Sequence, residues 1–216
     1  MDAGQHLDLL VHREPGLEPM KDAIWRAFER LTTCFRGGGK LLLCGNGGSA
    51  CDCEHIAGEM MKGFLLRRPL AADERAALLD LGEEGALLAE RLQRGLPTLV
   101  LSGLSGLTTA FSNDVEPDLA FAQQAYAYAR PGDVLLCLST SGNARNVRLA
   151  ALAAKARGAT VIGLTGQGGG KLAKHVDLLL DVPEWETYRV QELHLPLYHA
   201  LCAMLEAEMF HEGEGA

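Results

Sequence analysis

The sequence predicts an α/β protein in which helices cover both faces of a parallel sheet. It contains five short, nearly continuous apolar runs, and helical patterns separate most of them. Apolar runs without polar alternation are typical of strands that are buried on both faces, and strands that alternate with helices indicate a parallel sheet. The predicted strands lie near residues 40–45, 98–102, 134–139, 160–165 and 176–182.

An amphipathic helix is predicted ahead of the first strand, over residues 17–35. Its apolar residues recur at spacings of four, three and four: Ile24, Phe28, Leu31 and Phe35. The triplet Gly37-Gly38-Gly39 ends this pattern, as glycine commonly ends a helix. Further helical stretches are predicted near residues 49–64, 73–94, 117–129, 143–157 and 187–210.

The domain organisation is predicted to be simple. The 216 residues, 48% of them hydrophobic, are sufficient for one domain with a complete core. Residues 1–16 show no clear period and close with Pro15-Gly16, so we predict a mobile or partner-dependent arm there and a single domain over residues 17–216. Within residues 69–95, Gly82 and Gly85 interrupt the helical composition, which favours two short helices over one.

Composition and charge argue against several classes of protein. Lys and Arg number 20 against 28 Asp and Glu, a net charge of -8, so we expect no broad basic surface for nucleic acid. The apolar runs are far shorter than the roughly 20 residues of a membrane-spanning helix. Residues 1–8 lack the basic and then apolar order of a secretory signal, so we expect a cytoplasmic protein.

The six cysteines form no C-x-x-C pair, and several lie in apolar stretches. A thiol in such a stretch behaves as a small hydrophobic group, so we predict reduced, buried cysteines. Cys51 and Cys53 leave one alternative open, because a C-x-C pair supplies half of a four-ligand structural metal site.

A glycine-rich turn follows the first predicted strand, with the sequence Gly45-Asn46-Gly47-Gly48-Ser49. Glycines allow a ligand to approach the backbone closely, and the N-H groups at the start of the next helix favour negative charge. The spacing matches neither a Walker loop nor the dinucleotide motif. The turn therefore predicts an anion site, with a purely structural strand-to-helix turn as the alternative.

A second turn strengthens the prediction of an anion site. The strand near 134–139 ends in Ser139-Thr140-Ser141-Gly142-Asn143, and a helix is predicted to follow directly. Three hydroxyl groups at a helix N-terminus can donate hydrogen bonds to a phosphate, although Ser and Thr are also ordinary helix caps. Parallel strands bind ligands at their carboxyl ends, where both turns would lie. Together the turns favour a phosphorylated small molecule.

Two helices carry a candidate set of metal ligands. His55 and Glu59 are four residues apart, and Gln191 and His199 are eight apart, so each pair lies on one helix face. Two imidazoles, a carboxylate and an amide oxygen can make a four-ligand site for zinc or a similar ion. The alternative is that both pairs belong to solvated helix faces.

The order of these motifs resembles the sugar isomerase (SIS) domain and, within it, the phosphoheptose isomerases, over residues 17–210. The resemblance rests on the two loops above, on Cys51-Asp52 with His55 and Glu59, and on Asn113-Asp114, Leu164-Thr165-Gly166, Gly169-Gly170-Lys171 and Gln191-Glu192-Leu193-His194 with His199. It implies a three-layer α/β/α sandwich with a five-stranded parallel sheet. It also implies a zinc ion and a homotetramer with sites between subunits.

The resemblance further implies roles for individual residues. Glu59 and His199 would be the acid–base pair that moves a carbonyl between C1 and C2 of sedoheptulose 7-phosphate through an enediol. The implied zinc ligands are His55, Glu59, Gln191 and His199. The implied substrate-binding residues are Asn46, Gly47, Gly48, Ser49 and Gln191, with Asn113 and Asp114 at the sugar chain and Ser139, Thr140 and Ser141 at the phosphate.

The chain also differs from the family pattern. Ala144 stands where the family has a phosphate-binding serine, residues 69–95 form a longer segment, and Pro196 is expected to kink the last helix between Gln191 and His199. Two other kinds of protein are alternatives for this pattern. One is a non-catalytic SIS protein that associates with the bacterial replication initiator, and the other is a sugar-phosphate sensor. The initiator-associated branch lacks the second histidine, so the presence of both His55 and His199 favours an enzyme.

Overall fold

Five parallel strands form one sheet with the order β2-β1-β3-β4-β5 in the computed structural model, which describes residues 1–210. The strands are β1 (Leu41–Cys44), β2 (Thr98–Val100), β3 (Val134–Ser139), β4 (Thr160–Gly166) and β5 (Leu178–Val182). All five predicted strands are present. The residues of β1 and β3 and all but the first of β4 are buried, β5 is buried at alternate positions, and β2 is an edge strand in which only Thr98 is buried.

The structure describes nine α-helices within residues 1–210. They are α1 (Ala3–Arg13), α2 (Lys21–Arg36), α3 (Gly48–Met61), α4 (Ala72–Leu79), α5 (Glu83–Arg91), α6 (Ser105–Asp114), α7 (Ala120–Tyr128), α8 (Arg145–Ala156) and α9 (Thr187–Met209). Segment 69–95 forms the two short helices α4 and α5, as predicted.

The sheet separates two hydrophobic cores. Successive residues of a strand point to opposite faces, so Leu41 and Leu43 pack with α1, α2, α3 and α9, whereas Leu42 and Cys44 pack with α7 and α8. This arrangement confirms the predicted three-layer α/β/α sandwich. No helix within residues 1–210 is long and apolar enough to cross a membrane.

Residues 3–13, within the segment predicted as a mobile or partner-dependent arm, form a helix that packs on the domain. They form α1, which Asp2 and Gln5 cap reciprocally at its N-terminus. Leu7, Leu10 and Val11 follow helical spacing and are buried in the same core as α9. These apolar residues form an amphipathic stripe in the sequence, but the stripe is too short to indicate a helix by itself.

Three further details refine the predicted elements. The first predicted helix begins as a 3-10 turn, Pro15–Met20, before α2. Helix α6 was not predicted, and none of its residues is buried. Helix α9 continues through Pro196 as a single helix. Because proline has no backbone N-H, the carbonyl of Glu192 loses its helical hydrogen-bond donor. Glu192 is exposed, so water can solvate that carbonyl.

The cysteines are reduced, as predicted. All six are free thiols, and only Cys51 is exposed. The Sγ atoms of Cys44 and Cys137 lie 3.7 Å apart on neighbouring strands β1 and β3, within the apolar core.

Candidate active site

The loops after β1 and β3 lie side by side at the carboxyl edge of the sheet. The chain leaves β1 towards β2 on one side and returns to β3 on the other, so the strand order reverses between β1 and β3. Such a switch point opens a crevice in which α/β folds bind ligands. The side-chain amides of Asn46 and Asn146 exchange two hydrogen bonds of 2.9 Å across it. The structure thus brings both predicted loops together.

The first loop exposes backbone at the start of α3. Asn46, Gly47 and Gly48 are exposed, whereas Ser49 is buried. Gly47 has a φ of 54°, which favours glycine, and a side chain at Gly48 would collide with the amide of Gln191. Gln191 therefore lies directly over the start of α3.

The second loop is braced by its neighbour, the glycine-rich loop after β4. Gly166 N donates to the carbonyl of Thr140 at 2.8 Å, and Leu172 N donates to the carbonyl of Gly142 at 2.9 Å. Gly142 has a φ of 64°, and a side chain there would collide with the carbonyl of Gly169. The hydrogen bonds and this close approach hold the path of the hydroxyl-bearing loop.

The three hydroxyl residues are arranged in order of increasing exposure. Ser139 ends β3 and is buried, Thr140 is half-buried, and Ser141 is exposed. Ser141 Oγ accepts a hydrogen bond of 3.2 Å from Asn143 N. Helix α8 begins at Arg145, so Ala144 is its N-cap residue and provides no side-chain cap. The prediction that Asn143 opens this helix is wrong by one position.

Three of the predicted catalytic and metal-binding side chains meet where α3 and α9 face each other. His55 Nε2 lies 3.4 Å from Glu59 Oε1 and 3.3 Å from His199 Nε2. The ring of Phe64, in the segment after α3, packs against the His199 ring with centroids 5.6 Å apart. The helical spacing predicted from the sequence therefore places these groups in one cluster.

A chain of hydrogen bonds orients His55. Tyr198 Oη lies 3.0 Å from His55 Nδ1 and 3.2 Å from Asp52 Oδ1. A carboxylate accepts, so the tyrosine hydroxyl donates to Asp52 and Nδ1-H of His55 donates to the tyrosine. Burial raises the pKa of Asp52, and burial beside Asp52 raises that of Tyr198. In this tautomer, the lone pair of His55 Nε2 points towards Glu59 and His199.

The surroundings of the second histidine, His199, favour its neutral form. Burial lowers the pKa of His199, the neighbouring His55 lowers it further, and the charge of Glu59 opposes both effects. A neutral imidazole can accept a proton, and its protonated form can return one. The site therefore brings the carboxyl group of Glu59 and the imidazole of His199 together around a second imidazole, that of His55.

The donor atoms fit zinc in type and in two spacings. Ligand atoms around a tetrahedral zinc ion, each about 2.0–2.1 Å from the metal, lie about 3.3–3.4 Å from one another. The His55–Glu59 and His55–His199 distances match this value. Within residues 1–210, no group of three or more His, Cys, Asp or Glu side chains is arranged to hold a metal ion as it stands. Cys51 and Cys53 thus form no such group either.

Asn113 and Asp114 lie at the end of α6, and both are exposed. Asn113 Nδ2 donates to Asp114 Oδ1 at 2.7 Å, so the two side chains bond to each other. The structure leaves this predicted pair on the surface, and within residues 1–210 neither side chain hydrogen-bonds to the two loops.

Several residues around the site were not predicted. Tyr198 precedes a predicted ligand on α9, and Asn146 follows the second loop, but their partners lie 146 and 100 residues away in the chain. Arg68 and Glu206 form a buried ion pair beside the cluster, and single charges in a sequence do not reveal such a pairing. Only the fold brings these partners together.

Comparison with known proteins identifies the class first. Two family models described as SIS domain match the chain, over residues 14–94 and 106–208. The matched residues include both loops and the His55, Glu59 and His199 cluster. The fold and these matches together define a SIS-domain protein.

Several relatives and solved structures identify the family more closely. The phosphoheptose isomerase of Rhodospirillum rubrum is 41% identical over 184 residues, which cover 85% of each chain. That of Roseiflexus sp. is 40% identical over 85% of this chain and 81% of its own. The phosphoheptose isomerase structure from Neisseria gonorrhoeae superposes with a TM-score of 0.73 at 33% identity, covering 94% of this chain and 96% of that one. The chain belongs to the phosphoheptose isomerase family and is an isomerase.

Proposed function

We propose that the chain is an aldose–ketose isomerase of phosphorylated sugars, which converts sedoheptulose 7-phosphate to D-glycero-D-manno-heptose 7-phosphate. The observation that carries this proposal is the placement of Glu59 and His199 in one cluster with His55, on α3, which begins at the first loop, and on α9, whose Gln191 lies over that loop. The family of the chain and the names of its relatives support the choice of substrate.

The phosphate is proposed to bind at the second loop. Ser139, Thr140 and Ser141 supply hydroxyl donors, and the N-terminus of α8 supplies backbone N-H groups without intrahelical partners. The net charge of the chain is -8, so attraction to the phosphate must be local. The sugar then extends over Gly47 and Gly48 towards Glu59 and His199, within reach of Asn46, Ser49 and Gln191. Asn113 and Asp114 would reach the sugar chain only from the exposed end of α6.

The chemistry assigned to Glu59 and His199 is the transfer of a proton between C1 and C2. The carboxylate of Glu59 takes the proton from C1, which gives an enediol, and the pair returns a proton to C2. His199 accepts the proton of the C1 hydroxyl and, once protonated, delivers it to the oxygen at C2, so the carbonyl moves from C2 to C1. The Tyr198–Asp52 contact holds the second imidazole, that of His55, in a fixed tautomer beside them.

A zinc ion is part of the proposal. His55, Glu59 and His199 would hold it, with Gln191 as the fourth ligand after its amide turns from Gly48. When bound, the ion would polarise the carbonyl and stabilise charge on the enediol oxygens. The support is the donor chemistry and the two matching distances.

We also propose that the protein is a cytoplasmic homotetramer with sites between subunits. Large apolar side chains are exposed around the first half of α9, beside Gln191, and they are Trp185, Tyr188 and Leu195. A second copy of the chain would remove such a patch from water. Light scattering in solution measures the assembly, and a monomer that is fully active would contradict it.

Assays with single sugars test the function. The purified protein is incubated with ketose phosphates of five, six and seven carbons, and aldose formation is followed for each. We expect turnover that is greatest with sedoheptulose 7-phosphate. Tight binding without turnover would contradict an enzyme and favour a sensor.

Metal analysis tests the zinc site. Replacing His55 or His199 with Ala should remove bound zinc, whereas replacing His12, exposed on α1, should not. Full metal occupancy in both site variants would show that the zinc ligands are wrong.

A further inference from the structure

A fully buried ion pair connects the two helices of the acid–base cluster. Arg68 lies between α3 and α4, and Glu206 lies on α9, and each is 1% exposed. Arg68 Nε donates to Glu206 Oε1 at 2.7 Å. Charges so deep in a protein need several well-placed partners, because burial removes their hydration.

The other nitrogens of Arg68 bind the end of α3. Nη1 donates to the carbonyl of Met60 at 2.7 Å, and Nη2 donates to the carbonyl of Glu59 at 3.0 Å. Carbonyls in the last turn of a helix have no partner within it. Arg68 therefore acts as a side-chain cap whose contact includes the backbone of the proposed catalytic carboxylate.

Glu206 fixes the other side of the cluster. Its carboxylate accepts hydrogen bonds from three successive amides, those of Phe64, Leu65 and Leu66, at 2.8, 2.6 and 2.9 Å. Phe64 is the residue whose ring packs against His199. Glu206 itself follows His199 by seven residues on α9, two turns along the same face. One carboxylate thus joins the segment after α3 to the helix that carries His199.

We propose that Arg68 and Glu206 are positioning residues, which hold Glu59 and His199 at the separation that proton transfer requires. This inference rests on the function proposed above. The pair contacts neither side chain of the acid–base pair, but it anchors the backbone of one and the aromatic neighbour of the other. A catalytic group that is displaced by about 1 Å from its reacting position lowers the rate of the chemical step sharply. Substrate binding depends less on that position.

A second ion pair with a buried carboxylate provides the control. Lys40 Nζ lies 2.6 Å from Asp133 Oδ2; the Asp133 side chain is 3% exposed and the Lys40 side chain is 25% exposed. These residues precede β1 and β3, at the amino ends of the strands. The pair therefore also joins a buried carboxylate to a cation, and it lies at the opposite edge of the sheet from the candidate active site.

The test compares two double variants that remove both charges and so leave no lone buried ion. Arg68→Met with Glu206→Gln removes the cap and one of the two carboxylate oxygens that accept from the amides of residues 64–66, and Lys40→Met with Asp133→Asn is the control. Both double variants are studied at a temperature at which circular dichroism shows that they are folded. Arg68→Lys is made as well, because it keeps the charge but has one nitrogen in place of the three that contact Glu206 and the two carbonyls.

Two readouts are measured for each variant. The first is kcat and KM for sedoheptulose 7-phosphate. The second is the set of ring signals of His55 and His199 in NMR spectra of the metal-free protein, which report their surroundings without turnover. We expect the Arg68 variants to lower kcat about tenfold or more with KM little changed, and to shift both ring signals. The control should do neither.

Equal losses of kcat in the two double variants, or unshifted ring signals in the Arg68 variants, would overturn the positioning role. If the unaltered protein does not isomerise the sugar, the proposed function fails, and the ring signals still decide whether the pair positions the cluster.

Discussion

The two parts of the candidate active site are built in different ways. The proposed phosphate-binding loop is shaped by backbone, since neighbouring amides and close-packed glycines hold Thr140 and Gly142 in place. The proposed acid–base cluster consists of side chains, and its members His55, Glu59 and His199 meet only because α3 and α9 are fixed relative to each other. The loop should therefore tolerate the loss of a side chain and lose function when a side chain is added. The cluster should lose function when one of its side chains is removed.

The largest effect is expected from Glu59→Gln in the side-chain part. An amide cannot take a proton from carbon at neutral pH, so turnover should fall by about 10²–10⁴-fold while the fold and most sugar binding remain. Steady-state kinetics measure this, and zinc content is determined alongside because an amide is also a poorer ligand. Glu54→Gln, exposed on the same helix, is the control and should keep its activity.

Addition of one methyl group should damage the backbone part. Gly142→Ala combines a φ of 64° with a collision against the carbonyl of Gly169, so the loop must move. We expect phosphate-sugar affinity, measured by calorimetry, to fall about tenfold or more. Gly38→Ala has a similar φ of 74° with no neighbour within 4 Å. The Gly38→Ala variant therefore has the backbone strain without the collision, and we expect it to leave affinity unchanged.

Loss of a side chain from the same loop should cost less. Ser141→Ala removes one hydroxyl donor, worth about 1 kcal/mol or somewhat more for a charged acceptor, so affinity should fall about fivefold. Ser112→Ala on exposed α6 is the control. Unchanged affinity in Ser141→Ala would mean that the phosphate binds elsewhere.

The smallest effect, and the only gain, is expected from Ala144→Ser. Position 144 is the N-cap of α8 and has no capping side chain, so a serine should stabilise the fold by about 0.5–1 kcal/mol. The same hydroxyl should tighten phosphate binding a few-fold. Thermal unfolding and calorimetry measure the two effects. Weaker binding would indicate that Ala144 is adapted to another ligand.

The sequence predicted the backbone part of the site better than the side-chain network. Strand β3 and its hydroxyl-rich turn are contiguous, and the apolar run alone indicates a buried strand. The spacing of four residues along α3 also placed His55 and Glu59 on one face of that helix. Helix α6 was missed because Ser, Thr and Gly dominate it and no apolar stripe is buried.

Long-range polar partners were beyond prediction from one sequence. Arg68 and Glu206 are 138 residues apart, and neither belongs to a local motif. Their pairing depends on how α9 packs over the end of α3, which only the folded structure shows. The same is true of Tyr198, whose hydroxyl group finds Asp52 and His55 across the helix pair.

Exchange of the C1 proton of sedoheptulose 7-phosphate with deuterated solvent, followed by NMR, tests the central claim most directly. It reports proton abstraction even where product release is slow. The account predicts rapid exchange with the unaltered protein and almost none with zinc-loaded Glu59→Gln. Exchange at an equal rate in both proteins would contradict the role of Glu59, and the absence of exchange in the unaltered protein with any five- to seven-carbon ketose phosphate would contradict the isomerase itself.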